Sequence, residues 1–303
     1  MTRRDLAVGY AAIAADCVIA AACDAKHAPY LLNAIASLDQ YFPDRPRIVV
    51  YDIGLSWLHR VELGRRTGVE LRDVPPFVPH WRENWSWKLH VLTDVPGRYV
   101  LYLDLANFVI LRSLAPWFLA IQKHGYFVVS NGQHLGQVAP ADYHDRYGLR
   151  SAQAHAWRTF GAGIIGFDRQ SASRLAIERA LQGVVEGDNL GRSASEPSGK
   201  YTSNVIRDCA CFRADQTVLN LAFREVYRDR LQVRRALRYG GKGGACDHPG
   251  QYLWYARRAA GCLTHLYRPD PRRGVAEGIN RAHWFLKVGL IDGVKRLLAS
   301  TTA

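Results

Sequence analysis

Short apolar runs alternate with amphipathic segments along the first half of the chain. The runs CVIAAA, RIVVY, VELRDV and YVLYL predict strands. YVLYL is typical of a strand buried on both faces, because it consists of β-branched, aromatic and leucine residues. Residues 27–43 carry apolar side chains at helical spacing, and Pro43 ends that segment. Strands and helices in this order indicate a parallel sheet with crossover helices. We therefore predict an α/β fold with a mostly parallel sheet flanked by helices.

The second half of the chain is less regular. Residues 131–158 are polar and predict a surface excursion that can include a short helix, and residues 188–210 have the composition of a flexible loop. Residues 282–298 predict a basic amphipathic helix, either docked on the body or lying on an anionic membrane surface. We expect one domain over residues 1–270 and a helical tail over 271–303.

Charge and cysteine usage narrow the function classes. The chain has 303 residues and a net charge of +13, which favours anionic partners such as nucleotides, phosphorylated sugars or acidic lipids. No helix-turn-helix, zinc-finger or RNP-like motif occurs, so we expect no nucleic-acid partner. The 6 cysteines form no CxxC pair, which suggests reduced thiols and a cytoplasmic location. No apolar run reaches the roughly 20 residues needed to span a bilayer.

Three carboxylates stand at or just after the ends of predicted strands: Asp24, Asp52 and Asp104. Ligands of open α/β sheets bind at the carboxyl edge, and a charge there needs a partner. Asp104, in YLDLAN, therefore either caps its own loop or holds a ligand or metal. Asp24 is equally compatible with a turn in which it bonds its own backbone.

Four motifs together resemble the family 8 glycosyltransferases and their relatives of the GT-A (Rossmann-like) fold. They are CDAKHAPYLLNAIASL after the first strand, YDIGLS after the second, YLDLAN, and GAGIIGFDR with the later DQTVLNLAF. The resemblance covers roughly residues 17–268 and implies a nucleotide-diphosphate-sugar transferase of bacterial type. It further implies transfer to a glycan or lipid-linked acceptor, with retention of configuration.

One departure from the family pattern concerns the metal motif. Ala106 stands where the family has its second acidic ligand, so the DxD motif is degenerate. Asn107, the next polar residue, lies one position after the place of the second acidic ligand. In a strand its side chain would point to the face opposite that of Asp104. If a divalent ion (Mn²⁺ or Mg²⁺) binds, the resemblance implies Asp104 with His248 or His265. The alternative function is an inactive relative that binds a nucleotide or glycan.

The resemblance also implies roles for particular residues. It places Lys88, Asp215 and Gln216 in catalysis, against the alternatives of a solvated lysine and a simple helix cap. Trp85 and Trp87 either stack on a sugar or fill the core. The residues implied to bind the nucleotide sugar are Ala22, Asp24, Asp52, Asp104, Asn107, Gly163 and Lys242. If the tail binds lipid, the enzyme would sit at the inner face of the membrane.

Overall fold

A computed structural model describes residues 3–149, 152–191, 212–234, 241–242 and 252–255. Their helices are α1 (Arg3–Ala11), α2 (Ala28–Tyr41), α3 (Trp57–Gly64), α4 (Trp87–Asp94), α5 (Ala115–His124), α6 (Leu135–Val138), α7 (Ala141–Arg146), α8 (Ala152–Ala156), α9 (Ala172–Val185) and α10 (Asp215–Tyr227). Their strands are β1 (Cys17–Cys23), β2 (Arg47–Asp52), β3 (Val69–Asp73), β4 (Tyr99–Leu103), β5 (Phe108–Ile110), β6 (Tyr126–His134), β7 (Arg158–Asp168), β8 (Gly241–Lys242) and β9 (Leu253–Tyr255).

A mixed sheet with the order β3-β2-β1-β4-β7-β6 runs through the described residues. β1 and β4 are parallel, with Cys17 opposite Tyr99 and Ala20 opposite Tyr102. β7 runs antiparallel to both of its neighbours, β4 and β6. β5, β9 and β8 form a small second sheet. The predicted α/β class, a mostly parallel sheet flanked by helices, is confirmed.

Contacts between residues group the chain into two compact units. The first unit comprises Met1–Ala21, Asp73–Leu103 and Ala115–Ala236. The second unit comprises Ala22–Arg72, Asp104–Leu114 and Leu237–Ala303.

The core of the first unit is built on β4, whose residues are all buried. Trp117 of α5 stacks on Phe127 of β6 with ring centroids 4.8 Å apart. Phe160 of β7 meets Phe223 of α10 edge to face at 5.3 Å. These aromatic contacts fix α5 and α10 against the sheet, because ring pairs favour such defined geometries.

The prediction that residues 131–158 form a surface excursion was wrong. The end of β6 and three short helices, α6 to α8, occupy this stretch, and Tyr143 and Tyr147 are fully buried. The Tyr143 hydroxyl donates to the carbonyl oxygen of Asp188 at 2.9 Å, and the Tyr147 hydroxyl donates to the Asp188 carboxylate at 2.9 Å. The stretch is ordered by polar groups that form hydrogen bonds with one another inside the protein. Its sequence therefore shows no apolar periodicity from which burial could be predicted.

The same contacts order the beginning of the predicted flexible loop. Asp188–Leu190 form one turn of 3-10 helix with buried side chains, and Arg146 forms an ion pair with the Asp188 carboxylate. Burial raises the pKa of Asp188, although Arg146 opposes that shift. The rest of the predicted loop, residues 192–210, lies outside the described residues.

In the second unit, side-chain hydroxyls connect the helices to neighbouring backbone. Ser56 caps α3 by accepting a hydrogen bond from the His59 amide at 3.3 Å. Ser37 of α2 accepts a hydrogen bond from the amide of Ile110 in β5 at 2.9 Å. Within the described part of the chain, no helix has the length and hydropathy to cross a membrane. The predicted basic helix over residues 282–298 lies outside that part.

Candidate active site

A buried ion pair joins two residues that lie far apart in the sequence of the first unit. Nζ of Lys88, in the first turn of α4, lies 2.9 Å from Oδ2 of Asp215, the first residue of α10. The two side chains are only 3% and 6% exposed. A buried charge requires a partner, and such pairs cost desolvation that apolar residues would avoid. The pair therefore suggests a role in function rather than in stability alone.

The Lys88 ammonium is further enclosed by a carbonyl group and two aromatic rings. Nζ donates to the carbonyl oxygen of Ala162 at 3.2 Å. It lies 5.3 Å from the ring centre of Tyr102 and 5.7 Å from that of Trp87. Because both ring faces carry negative electrostatic potential, they attract the ammonium group.

The ion pair lies at the carboxyl end of β4. The antiparallel register places Tyr102 opposite Ile165 and Leu103 opposite Ile164, so Ala162 and Gly163 come just past the end of β4. This is the sheet edge at which open α/β folds bind ligands. Lys88, Asp215 and the Ala162–Gly163 backbone are thus gathered where a ligand is expected.

Gln216, next to Asp215, contributes a buried donor. Its Nε2 atom is buried and has no hydrogen-bond partner among the described residues. An unpaired buried amide group costs about 1–3 kcal/mol, so native structures contain few of them. A ligand rich in acceptor oxygens would satisfy this amide.

Backbone strain is concentrated around the pair. The non-glycine residues with positive φ in the described part of the chain are Asn84, Trp85, Ala214 and Arg228. Ala214 immediately precedes Asp215, and the Trp85 carbonyl accepts the Lys88 amide hydrogen bond at 3.0 Å. Such conformations cost about 1–3 kcal/mol each and cluster at functional sites.

These contacts exclude one of the alternatives that the sequence left open. Lys88 is not a solvated helix lysine, because it is 3% exposed. Ala214, not Asp215, occupies the cap position of α10, but Asp215 lies in the first turn, where the helix dipole favours an acidic residue. The two tryptophans differ in exposure: Trp87 is 8% exposed and belongs to the core, whereas Trp85 is 50% exposed.

The second unit brings together the turns that contain Asp24 and Asp52. The Ala25 amide donates to the Gly54 carbonyl oxygen at 2.8 Å, and the Ile53 amide donates to the Cys23 carbonyl oxygen at 3.1 Å. Ala22 lies in β1, one residue before Cys23. Residues of the first two predicted motifs therefore share one edge of this unit.

Both turn carboxylates accept local hydrogen bonds. Oδ1 of Asp24 accepts from the His27 amide at 2.9 Å and contacts Nδ1 of the His27 ring at 2.7 Å. Oδ1 of Asp52 accepts from the amides of Gly54 and Leu55, and its Oδ2 pairs with Arg60. Asp24 therefore makes the hydrogen bonds to its own turn that the sequence offered as one alternative. Ligand binding by Asp24 or Asp52 stays a prediction.

Asp104 precedes a 3-10 turn, Leu105–Asn107, in the second unit. Its side chain is half-buried and makes no capping hydrogen bond to that turn, and ligand binding by Asp104 stays a prediction. The described residues contain no group of three or more His, Cys, Asp and Glu that could hold a metal ion. Of the metal ligands implied by the resemblance, His248 and His265 lie outside the described residues. Asp104 alone does not make a metal site.

Two other predicted residues are described only by their backbone. Asn107 ends the 3-10 turn, and Lys242 lies in β8, which pairs in parallel with β9. Their side-chain roles therefore stay predictions.

Sequence reasoning missed two residues, one beside the Lys88 ammonium and one beside the turn that precedes α4. Tyr102, whose ring centre lies 5.3 Å from Nζ of Lys88, was noted only as part of a buried strand. Asn189, fully buried, was assigned to a flexible loop. Its Nδ2 donates to the carbonyl oxygen of Asn84 at 3.3 Å and to the Ser86 hydroxyl at 2.7 Å. No local sequence signal marks such a contact between distant residues.

Comparison with solved structures provides independent evidence on the fold. A galactosyltransferase, LgtC, in complex with donor and acceptor sugar analogs, superposes with a TM-score of 0.50 over 85% of this chain and 99% of that chain, at 19% identity. The chain has the GT-A fold. At this identity the similarity establishes the fold alone, and it confirms the fold that the family 8 resemblance implied.

Two further matches are weaker. WbbM, a bifunctional glycosyltransferase, gives a TM-score of 0.48 at 14% identity, over 75% of this chain and 40% of that chain. An active-site mutant of LgtC gives 0.42 at 16% identity, over 78% of this chain and 86% of that chain. No protein-family model and no curated protein matches the sequence.

Proposed function

We propose that this GT-A protein transfers a sugar from a nucleotide-diphosphate sugar to a glycan or lipid-linked acceptor. The observation that carries the proposal is the cluster of Lys88, Asp215 and the buried, unpartnered amide of Gln216 at the carboxyl end of β4. Sugar hydroxyls and diphosphate oxygens are the acceptors that such a cluster suits. The sugar-analog complex of LgtC, on the same fold, agrees with a nucleotide-sugar ligand.

In this proposal the three residues have different roles. Departure of a nucleoside diphosphate builds negative charge, which a fixed cation in a low-dielectric site stabilises. Lys88 supplies that cation, and Asp215 holds the ammonium in place through its 2.9 Å contact. The Gln216 amide donates to an oxygen of the bound sugar and so orients it.

Further parts of the proposal rest on the sequence. The residues proposed to bind the nucleotide sugar in addition are Ala22, Asp24, Asp52, Asp104, Asn107, Gly163 and Lys242. Retention of configuration, a divalent ion at Asp104 with His248 or His265, and action at the cytoplasmic face of a membrane are also proposed on the family resemblance and composition. The residues proposed to form the transferase domain are 1–270, with a loop over 188–210 and a tail over 271–303.

The test is a thermal-shift panel of nucleotides and nucleotide sugars, with and without Mn²⁺, on the wild type and on Gln216→Leu. Leu fills a similar volume without an unpaired donor, so we expect the variant alone to melt at the same or a higher temperature. The wild type should gain several degrees with one nucleotide-diphosphate sugar, and the variant should gain much less. If no such ligand shifts the wild type, the proposed function is wrong.

A second candidate function is binding without transfer, which Ala106 favours because it removes the usual second acid of the metal motif. The same panel, followed by an assay for released nucleoside diphosphate, separates the two. A ligand that shifts the melting temperature yet is never cleaved, with or without acceptor glycans, would favour the inactive relative. Release that depends on Lys88 would favour the transferase.

A further inference from the structure

An exposed tryptophan stands on a strained turn directly before α4. Asn84 and Trp85 have φ values of 47° and 58°, a left-handed conformation that is unfavourable for two consecutive non-glycine residues. Trp85 is 50% exposed, although the apolar ring would be expected to bury. The turn therefore presents a large apolar surface to solvent at a cost in backbone energy.

A reciprocal pair of asparagines holds the turn in this conformation. Nδ2 of Asn84 donates to the carbonyl oxygen of Asn189 at 3.3 Å, and Nδ2 of Asn189 donates to the carbonyl oxygen of Asn84 at 3.3 Å. Asn189 also donates to the Ser86 hydroxyl at 2.7 Å, on the other side of Trp85. These bonds fix the backbone on both sides of the exposed ring.

The same turn is joined to the ion pair. The Trp85 carbonyl oxygen accepts a hydrogen bond from the Lys88 amide at 3.0 Å. The exposed ring of Trp85 and the buried ammonium of Lys88 therefore belong to residues of the same backbone turn. A ring held this firmly loses little conformational entropy when a ligand covers it. Strain of this kind persists where the conformation itself is used.

We propose that Trp85 is the acceptor platform: its indole stacks on the apolar C–H face of a pyranose ring of the acceptor glycan. This inference rests on the proposed function, because it assigns the second substrate of that site. A pyranose has one face of C–H groups and a rim of hydroxyls, which matches a flat apolar ring beside polar groups. A diphosphate has no apolar face to stack, so the donor's phosphates are not the ligand of this surface.

The test measures binding of the full-length protein to a printed panel of neutral hexose and N-acetylhexosamine oligosaccharides. We compare the wild type with Trp85→Ala, with the conservative Trp85→Phe, and with Trp57→Ala as the matched control. Trp57 is 68% exposed but lies at the start of α3, in the other unit. Circular dichroism and melting temperature confirm that each variant is folded.

We expect the wild type to bind at least one glycan of the panel. Trp85→Ala should weaken that binding at least about tenfold, since an aromatic face contributes on the order of one power of ten in affinity. Trp85→Phe should retain most of it, and Trp57→Ala all of it. No binding by the wild type, unchanged binding by Trp85→Ala, or an equal loss in Trp57→Ala would overturn the inference.

A second measurement separates the acceptor from the donor. The nucleotide sugar that shifts the wild type, and the nucleoside diphosphate it contains, should shift Trp85→Ala equally, because the platform does not touch the donor. A lost nucleotide shift in that variant would mean that the indole stacks on a base, and would also overturn the inference. If nucleotide sugars bind but glycan binding ignores Trp85, only this inference fails. If glycans bind through Trp85 but no nucleotide sugar binds, the proposed function fails, and Trp85 is a glycan-binding residue but not an acceptor platform.

Discussion

The contact between Lys88 and Asp215 is the most consequential pair of side chains in the first unit. Removing one member of a buried ion pair leaves the other charged in the interior, which costs about 3–5 kcal/mol. We therefore expect Lys88→Met and Asp215→Leu each to lower the free energy of unfolding in urea by that amount. The double variant, which buries only apolar groups, should be more stable than either single variant.

The double variant also separates stability from function. Regained stability should not restore nucleotide-sugar cleavage, because the cation that we propose to stabilise the leaving group is gone. Additive losses of stability in the double variant would show that the two side chains are not energetically coupled. Cleavage by the stable double variant would remove Lys88 and Asp215 from the proposed mechanism.

The pair formed by Asp24 and His27 makes a prediction about pH. Burial raises the pKa of Asp24, but the hydrogen bonds and charge of His27, helped by Lys26, outweigh it and bring the pKa below its ordinary value of 3.8. An acid with a lowered pKa in the folded state stabilises the fold above its unfolded pKa and loses that contribution as pH falls through the folded value.

We therefore expect His27→Ala to be less stable than the wild type near pH 6, with a difference that narrows as pH falls below about 4. Urea unfolding of both proteins between pH 6 and pH 3 measures it. Lys26→Ala is the matched control, since Lys26 has the smaller effect and should change stability less. A difference that stays constant across this range would mean that Asp24 is not the group involved.

Two helical glycines give a prediction at the scale of elements. A Cβ on Gly183 of α9 would overlap the hydroxyl of Tyr147 and lie 2.9 Å from Cγ1 of Val218 on α10. A Cβ on Gly64 of α3 would meet nothing closer than Cδ1 of Leu71 at 3.8 Å. The same substitution thus meets a packed interface in one helix and only an ordinary van der Waals contact in the other.

Gly183→Ala should destabilise the protein by about 1–3 kcal/mol, because it displaces the Tyr147 hydroxyl from Asp188 and overpacks the contact of α9 with α10. Gly64→Ala should stabilise it by up to about 1 kcal/mol, as alanine is the better helix former. Urea unfolding of the two variants side by side measures both effects. Changes of the same sign would contradict the packing described here.

Elements with a strong hydrophobic period could be predicted from the sequence, and those ordered by paired polar groups could not. β4 and α10 follow directly from their apolar patterns. The helices around Tyr143 and Tyr147 escaped prediction because their burial depends on Asp188, a distant partner. The candidate site could also be predicted only in part. Lys88 and Asp215 were named individually from the sequence, but only the fold shows that the two side chains are in contact.

At the scale of the whole molecule, the positive charge argues for anionic surfaces as well as anionic substrates. The chain carries 40 Lys and Arg against 27 Asp and Glu. Lys287, Lys295 and Arg296 lie within the segment 282–298, whose sequence pattern predicts a basic amphipathic helix. An acceptor linked to lipid would be reached most readily by an enzyme held at the membrane surface.

Flotation with liposomes tests this arrangement on the full-length protein. We expect it to float with vesicles containing phosphatidylglycerol and to stay behind with pure phosphatidylcholine, because each basic residue near an anionic surface contributes about 1 kcal/mol. Reversing Lys287, Lys295 and Arg296 to Glu should abolish flotation, whereas reversing Arg65, Arg82 and Lys123 on the described body gives the same net charge and should not. If both triple variants float equally, net charge rather than the tail drives binding, and the proposed anchor is wrong.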